Sequence, residues 1–461
     1  MRIVVCVKQA ANGDLNPFDA CAYEAALRIP DAEVILLSMA PMKSQELLLS
    51  LTRLGAKKAI LLSDRAFVGA DTLATAYALS KAVEKLTPDL VICGRQTVDG
   101  DTGQTGPGLA EALSYNIIPN VMEIIETSGK LTCRTRTMGE MTVSYPALIT
   151  VERINNLRLP SIRSKVGEVE VWTATDVDAD PNRIGLHGSP TKVLKSFENE
   201  DGKRHCTFIT PDKLDEVIAL GIERGKERLA PGDVSEILLK NVWIVGEKPR
   251  SMAETISDDI TVIPLTNADE IAERARREKP SAILWASDAQ SKMIAPQVAW
   301  KLQTGLCADC TYLETDGQTL MMYRPAFSGN IIAKIACVTE PAMATVRTPE
   351  DARAEVIFAL GKGAREILPK IEEFAAKYNA EIAASRAAVD CEMFPYECQV
   401  GLTGKSVNPS VYVAMGISGA VHHVEGMKQS GTVIAINPDK SAPIFDYADY
   451  GIVADVADIV K

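Results

Sequence analysis

An α/β fold of doubly wound parallel sheets is what this 461-residue sequence predicts. Three observations carry the prediction. Short β-branched runs alternate with stretches of helical periodicity; this alternation occurs in separate segments at the two ends of the chain; and glycines with small polar residues follow the strand-like runs. Near-continuous apolar runs separated by helices are what a parallel sheet covered on both faces requires.

In chain order, Arg2–Lys8 reads as a buried strand and is followed by an amphipathic stretch through Tyr23–Leu27. Glu33–Met39 is strand-like, Ser44–Leu54 helical, Lys58–Leu62 a strand, Thr72–Leu86 a helix and Asp89–Cys93 a strand ending at Gly94. Leu131–Met138 and Met141–Val151 read as hairpin strands. Pro211–Arg228 reads as a helix, and Leu229-Ala-Pro-Gly-Asp-Val as a linker. A short unit follows, with strands Val242–Val245 and Ala282–Ala286 and helix Ile294–Leu302. The last unit has strands Glu355–Leu360, Ala380–Ala384, Val411–Met415, Thr432–Asn437 and Tyr450–Ala454, with helices Ala364–Tyr378 and Ser418–Met427. The expected domains are residues 1–235, 236–348 and 349–461, since this length exceeds one core.

Composition excludes several classes. With 46% hydrophobic and 24% charged residues the chain is globular rather than disordered, and a net charge of −12 argues against a nucleic-acid partner. No apolar run approaches the roughly 20 residues that span a bilayer. Ten cysteines show no disulfide-framework spacing, and MRIVVCVKQ has no secretory pattern, so the expectation is a cytoplasmic protein with reduced thiols. Cys307 and Cys310 form a lone CxxC, read as either core residues or a redox dithiol. No metal site is expected, with only four histidines and no second CxxC.

Ligands of open parallel sheets collect beyond the carboxyl ends of the strands, where helix N-termini offer N–H groups to anions. Near the C-terminus such positions hold Gly361-Lys-Gly, Ser385-Arg386, Gly401-Leu-Thr-Gly404, Gly416-Ile-Ser-Gly419, Asn437 and Asp455. Glycines admit phosphate to the backbone, Ser385 and Ser418 suit helix caps, and Arg386 adds charge. Near the N-terminus, Asp89 through Pro107 ends a strand, crosses a glycine-rich turn and opens a helix. Thr102 suits a cap there, and Gly100, Gly103 and Gly106 expose backbone. This is neither GxGxxG nor a P-loop, so kinase and conventional dehydrogenase readings lose ground.

The stretch QVGLTGKSVNPSVYVAMGISGAVHHVEGMKQSGTVIAINPDKSAPIFDYADYGIVAD, with RPAFSGNIIAKI and MATVR, resembles the FAD domain of electron-transfer flavoprotein alpha subunits. MRIVVCVKQ, NPFDACAYEAALRI, VDGDTGQTGP and GLHGSPTKV resemble the beta subunit, in matching order. The resemblance implies a fused, three-domain carrier. FAD would lie against Lys362, Ser385, Arg386, Val400, Gly401, Leu402, Thr403, Ser418, Gly419, Ala420, Val421, His422, His423, Asn437 and Asp455. Arg386 would sit by the isoalloxazine ring, Thr403 near N5 and His423 near O2. Leu402 and His422 stand where the family usually has Gln, and Lys362 where it has Arg.

The resemblance further implies a second adenine nucleotide, FAD or AMP. It would be held by Cys6, Asn16, Pro17, Phe18, Asp19, Met39, Gly94, Arg95, Gln96, Thr97, Val98, Asp99, Gly100, Asp101, Thr102, Gly103, Gln104 and Thr105. The wording VDGDTGQTGP is closer to members that carry FAD there, take electrons from NADH and bifurcate them, with ferredoxin or flavodoxin as one acceptor. Leu159 and Pro160 would dock an acyl-CoA dehydrogenase-like flavoprotein. The rival reading is a non-redox adenine-nucleotide sensor with a degenerate flavin site. The stretch between Val245 and Ile263 is shorter than the alpha subunit's, and Gln9–Leu15 is a shortened link.

Overall fold

The computed structural model describes residues 1–461 apart from 12, 153–155, 199–203, 228–233, 327–330, 348–354, 403 and 461. The alternation at the N-terminus becomes β1 (Arg2–Cys6), α1 (Pro17–Leu27), β2 (Glu33–Met39), α2 (Gln45–Thr52), β3 (Lys58–Leu62), α3 (Thr72–Leu86), β4 (Leu90–Gly94) and α4 (Thr105–Leu113). β5 (Asn116–Glu126), β6 (Leu131–Thr135), β7 (Glu140–Val143), β8 (Ala147–Val151) and β9 (Glu168–Trp172) complete a nine-stranded sheet ordered β7-β6-β5-β8-β4-β1-β2-β3-β9. Ile3, Val5 and Ile92 face one core while Val4, Val91 and Cys93 face another. The continuous apolar runs follow from this two-sided burial.

The expected strand Met141–Val151 divides in two. Glu140–Val143 pairs antiparallel with β6, whereas Ala147–Val151 joins the main sheet parallel to β4. Pro146 supplies no N–H to a ladder, so the chain changes partner there.

β10 (Thr191–Glu198) leads to β11 (Thr207–Phe208) and α5 (Leu214–Glu227). Next come β12 (Val242–Val245), α6 (Arg250–Ala253), β13 (Ile260–Ile263), α7 (Ala268–Glu278), β14 (Ala282–Ala286), α8 (Ala289–Leu302), β15 (Leu306–Cys310), β16 (Tyr312–Thr315), β17 (Leu320–Ala326), β18 (Ile331–Cys337) and β19 (Ala342–Val346). They form a parallel sheet β13-β12-β14-β19-β15 and a second sheet β10-β18-β17-β16. The C-terminal elements are β20 (Val356–Leu360), α9 (Leu368–Ala376), β21 (Glu381–Ala384), α10 (Arg386–Asp390), β22 (Val411–Met415), α11 (Val421–Met427), β23 (Thr432–Ile436), β24 (Tyr450–Ile452) and α12 (Val456–Ile459). The expected helix Ala364–Tyr378 opens instead as a tight 3₁₀ run, Lys362–Ile367, and becomes α-helical at Leu368 with Pro369 in its first turn.

The chain forms two compact units: Met1–Ser196 with Val234–Phe327 and Ala333–Val346, and Phe197–Asp233 with Ser328–Ile332 and Arg347–Lys461. This differs from the expected boundary at residue 235. β11 adds to the C-terminal sheet beside β24, giving β11-β24-β23-β22-β20-β21, and Ile218 of α5 packs into that sheet's core. Arg204 fixes the strand's entry by donating to the Lys428, Ser430 and Gly431 carbonyls and pairing with Asp449. Apolar burial, not sequence proximity, decides where 197–233 belongs.

Candidate functional site

In the C-terminal unit, β20 leads outward to β21 on one side while β22, β23 and β24 follow on the other. Connections diverge between β20 and β22, and their carboxyl ends leave a crevice there. Backbone lines it. A Cβ on Gly361, directly after β20, would stand 2.0 Å from the Gly416 carbonyl oxygen after β22. Gly416 takes φ +65° and Gly419 φ +89°, and a Cβ on Gly419 would lie 2.2 Å from Ile444 N. Only glycine fits these turns.

The loop 399–406 is drawn onto α11. Leu402 N donates to His422 O at 2.6 Å, and a Cβ on Gly426 would come within 2.2 Å of Gly401 N. From beneath, buried Arg347 donates to the Gly401 and Leu402 carbonyls. Val400, Gly401, Leu402, His422 and His423 are thereby brought together. Thr403 lies outside the described residues.

Burial pushes the His423 pKa down to about 4, against the Val400 carbonyl, so the ring is neutral near pH 7. Its Nε2 shares a 2.9 Å hydrogen bond with the buried Tyr412 hydroxyl. Ser385 caps α10 by accepting from Ala388 N at 3.4 Å, as expected of it. Ser418 does not cap: α11 starts at Val421 after Ala420, and Ser418 is exposed, with its carbonyl accepting from Ile444 N. Arg386, the first residue of α10, pairs with Asp390 at 3.2 Å one turn on. Asn437 uses both amide ends internally, donating to Ile417 O and accepting from Asp439 N. Lys362 is exposed on the turn after Gly361, and Asp455 caps α12 through Ala457 N at 2.9 Å.

The first unit repeats this design between β1 and β4, where the order β4-β1-β2-β3 reverses the chain direction across the sheet. Cys6 and Cys93 are register partners at the carboxyl ends. Asn16, fully buried before Pro17, donates to Gln96 O at 2.9 Å and accepts from Val98 N at 3.3 Å. Asp19 accepts from Lys8 N at 2.8 Å and lies against Gly94, where a Cβ would stand 2.3 Å from its Oδ1. Burial pushes the Asp19 pKa up to about 7, with opposing hydrogen bonds from Asn16 and Lys8. Phe18 lies under the Arg95 guanidinium, 5.5 Å from it, and Arg95 also pairs with Glu152.

Around the turn, Gln96 donates to Asp101, Gly100 N donates to Thr97 and Asp99, and Asp99 pairs with Lys8 at 2.8 Å. Asp101 and Gly103 hold positive φ. Thr102 does not cap α4: its hydroxyl accepts only a long 3.5 Å contact from Gln104 N, and no side chain caps the helix that starts at Thr105. The first turn of α4 therefore starts without a side-chain cap, and Pro107 within it brings no N–H. Met39 ends β2, one strand away.

Sequence reasoning gave no role to Arg324. From β17 this buried side chain donates to Gly100 O at 2.8 Å, and it pairs with no carboxylate among the described residues. Its signal was the RPAFSGN stretch, but sequence separation hid the loop it reaches. Leu159 and Ile162 are 90% and 99% exposed on a segment that Arg158 anchors bidentately to Glu24 at 3.0 Å. Burial opposes ionisation of Glu24, yet hydrogen bonds from Arg158 and Arg28 prevail and hold its pKa at about 2. Among the described residues no helix is long and apolar enough to cross a membrane, and no cluster of His, Cys, Asp and Glu is placed to hold a metal.

Residues 3–177 and 258–366 match the electron transfer flavoprotein domain, and 352–428 match the electron transfer flavoprotein FAD-binding domain. The chain is 40% identical over 203 residues to the electron transfer flavoprotein subunit beta of Thermoanaerobacterium thermosaccharolyticum, covering 41% of this chain and 77% of that protein. It is 35% identical over 240 residues to the same organism's subunit alpha, covering 42% and 72%. The caffeyl-CoA reductase-Etf complex subunit CarD of Acetobacterium woodii is 35% identical over 260 residues, covering 50% and 99%. Two crevices of one design, matched by both subunit types in a single polypeptide, place this chain in the electron transfer flavoprotein family, with beta-like and alpha-like parts fused.

Proposed function

We propose that this protein is a single-chain carrier that holds FAD between β20 and β22 and a second FAD between β1 and β4, and that it exchanges electrons with a flavin dehydrogenase of the acyl-CoA dehydrogenase kind. The observation that carries the reading is the pair of switch points, at β20/β22 and β1/β4, where glycine-containing turns follow the strand ends. Bound FAD supplies one- and two-electron chemistry; the chain binds, orients and shields it.

The C-terminal crevice fits such a group. The glycines at Gly361 and Gly416–Gly419 let the turns after β20 and β22 pack closely at the strand ends, and Lys362, Ser385, Asn437 and Asp455 stand on the surrounding turns. Arg386 offers a cation that favours negative charge on the ring, and neutral His423 offers a hydrogen bond without a second charge. At the N-terminal crevice, the start of α4 without a side-chain cap and the buried Arg324 guanidinium, which pairs with no carboxylate among the described residues, suit a polyanion more than a solvated turn. With FAD there, NADH is the donor and ferredoxin or flavodoxin one acceptor. Leu159, Pro160 and Ile162 suit an apolar pocket on the partner dehydrogenase. The name of the CarD relative, a caffeyl-CoA reductase complex subunit, supports a partner acting on CoA esters.

Anaerobic titration with NADH, followed by visible absorbance, tests the reading. Bleaching of the flavin bands is expected. Flavin that only dithionite bleaches would reduce the protein to a simple carrier, and a colourless chain binding AMP would establish the non-redox sensor instead.

A further inference from the structure

Cys6 and Cys93 end adjacent strands and are register partners in a parallel pair. Both side chains lie on the face that carries Val4 and Val91, so they point the same way from paired positions. Neighbouring strands lie about 4.8 Å apart, inside the Cα separation that a disulfide spans. Cys93 is buried and Cys6 half-buried at the mouth of the β1/β4 crevice. The other paired thiols, Cys307 and Cys310, are both buried and have no such opening.

We infer that Cys6 and Cys93 form a reversible disulfide under hydroperoxide and that this bond withdraws Cys6 from the N-terminal nucleotide crevice and weakens binding there. The Cys6 sulfur, which meets solvent, attacks a peroxide oxygen. The O–O bond breaks, one water leaves, and Cys6 becomes a sulfenic acid. The Cys93 sulfur then attacks the Cys6 sulfur, the S–O bond breaks and a second water leaves. Two thiols are oxidised and one hydrogen peroxide is reduced to two waters. Its neighbour Cys6 and burial hold the Cys93 thiol protonated, which leaves Cys6 to react first. Contraction to an S–S bond of about 2.0 Å draws Cys6 away from the space that a nucleotide would share.

The effect on nucleotide rests on the proposed function; the bond itself does not. Full-length protein is treated with hydrogen peroxide, alkylated and mapped by peptide mass, with exposed Cys391 as the internal reference. The expected result is a Cys6–Cys93 cross-linked peptide two hydrogens lighter than its reduced parts, reversed by dithiothreitol, and AMP affinity lowered roughly tenfold or more. In C93S, Cys6 should stop at a sulfenic acid that dimedone traps. Both thiols remaining alkylatable when Cys391 is oxidised would overturn the inference. So would an equal loss of AMP affinity in C93S. A mapped disulfide in a chain that binds no nucleotide would sink the proposed function and leave the bond standing.

Discussion

Arg386 is not a bare cation: Asp390 sits one helical turn away and shares its charge. With both side chains partly exposed, the pair contributes on the order of 1 kcal/mol or less. That is enough to tune a flavin. Asp390→Asn should raise the C-terminal flavin's potential and Arg386→Leu should lower it, measured by redox titration against dyes. Asp19 carries the opposite problem, a buried carboxyl whose pKa stands at about 7 rather than 3.8. The folded state therefore holds this proton more tightly, so the stability it contributes is full below about pH 4 and falls as pH rises to about 7. Asp19→Asn, fixed neutral, should flatten that part of the stability-versus-pH curve in chemical denaturation; an unchanged slope would contradict the burial argument. Residue types at both crevices were legible from the motifs. Their partners were not: Asp390, Arg347 and Arg324 act through contacts that sequence spacing leaves hidden.

At the scale of elements, two exposed apolar side chains are presented by a segment that an ion pair between exposed Arg158 and buried Glu24 holds. Glu24 on α1 accepts from the backbone, Nε and Nη2 of Arg158. Its carboxyl titrates at about 2 instead of 4.5, so the stabilisation is complete above pH 4.5 and is lost as pH falls toward 2. Glu24→Gln should free the proposed docking segment at neutral pH, raising KM for a partner dehydrogenase while leaving reduction by dithionite unchanged. If KM held, Leu159 would not be positioned by this pair. Strands and helices with strong periodicity were readable in advance. Met141–Val151 was not, because an apolar run does not reveal which neighbour it pairs with, and Pro146 moves the chain from a hairpin to the main sheet. Caps misled for a related reason: Thr102 and Ser418 are good capping residues, but α4 and α11 begin three residues beyond them, and Ser385 alone sits at its helix's cap position.

Across the whole molecule, residues on both sides of 230 build each unit. In the first unit, Lys301 of α8 pairs with Glu111 of α4 at 2.6 Å, and Arg183 lies over the Tyr77 and Trp300 rings. In the second, β11, α5 and Arg204 pack on the C-terminal sheet. The short stretch from β12 through β19 fills both of its core faces with its own residues, from Leu239 to Val346. The third switch point, between β12 and β14, is lined by the Lys248–Asp288 and Lys292–Asp309 pairs, which satisfy its charges internally. Proteolysis near Ala230 should therefore yield two fragments that co-elute at micromolar concentration; separation without denaturant would contradict the interlock. The α/β class and its repetition were visible in the sequence, whereas the placement of 197–233 depended on burial that no local pattern encodes.

The central claim is that two crevices of backbone and glycine each retain a flavin, and counting the released cofactor tests it most directly. Acid release and chromatographic quantification from the full chain, reconstituted with FAD, should return two FAD per polypeptide. One FAD with one AMP would contradict the second flavin, and no FAD at all would contradict the account.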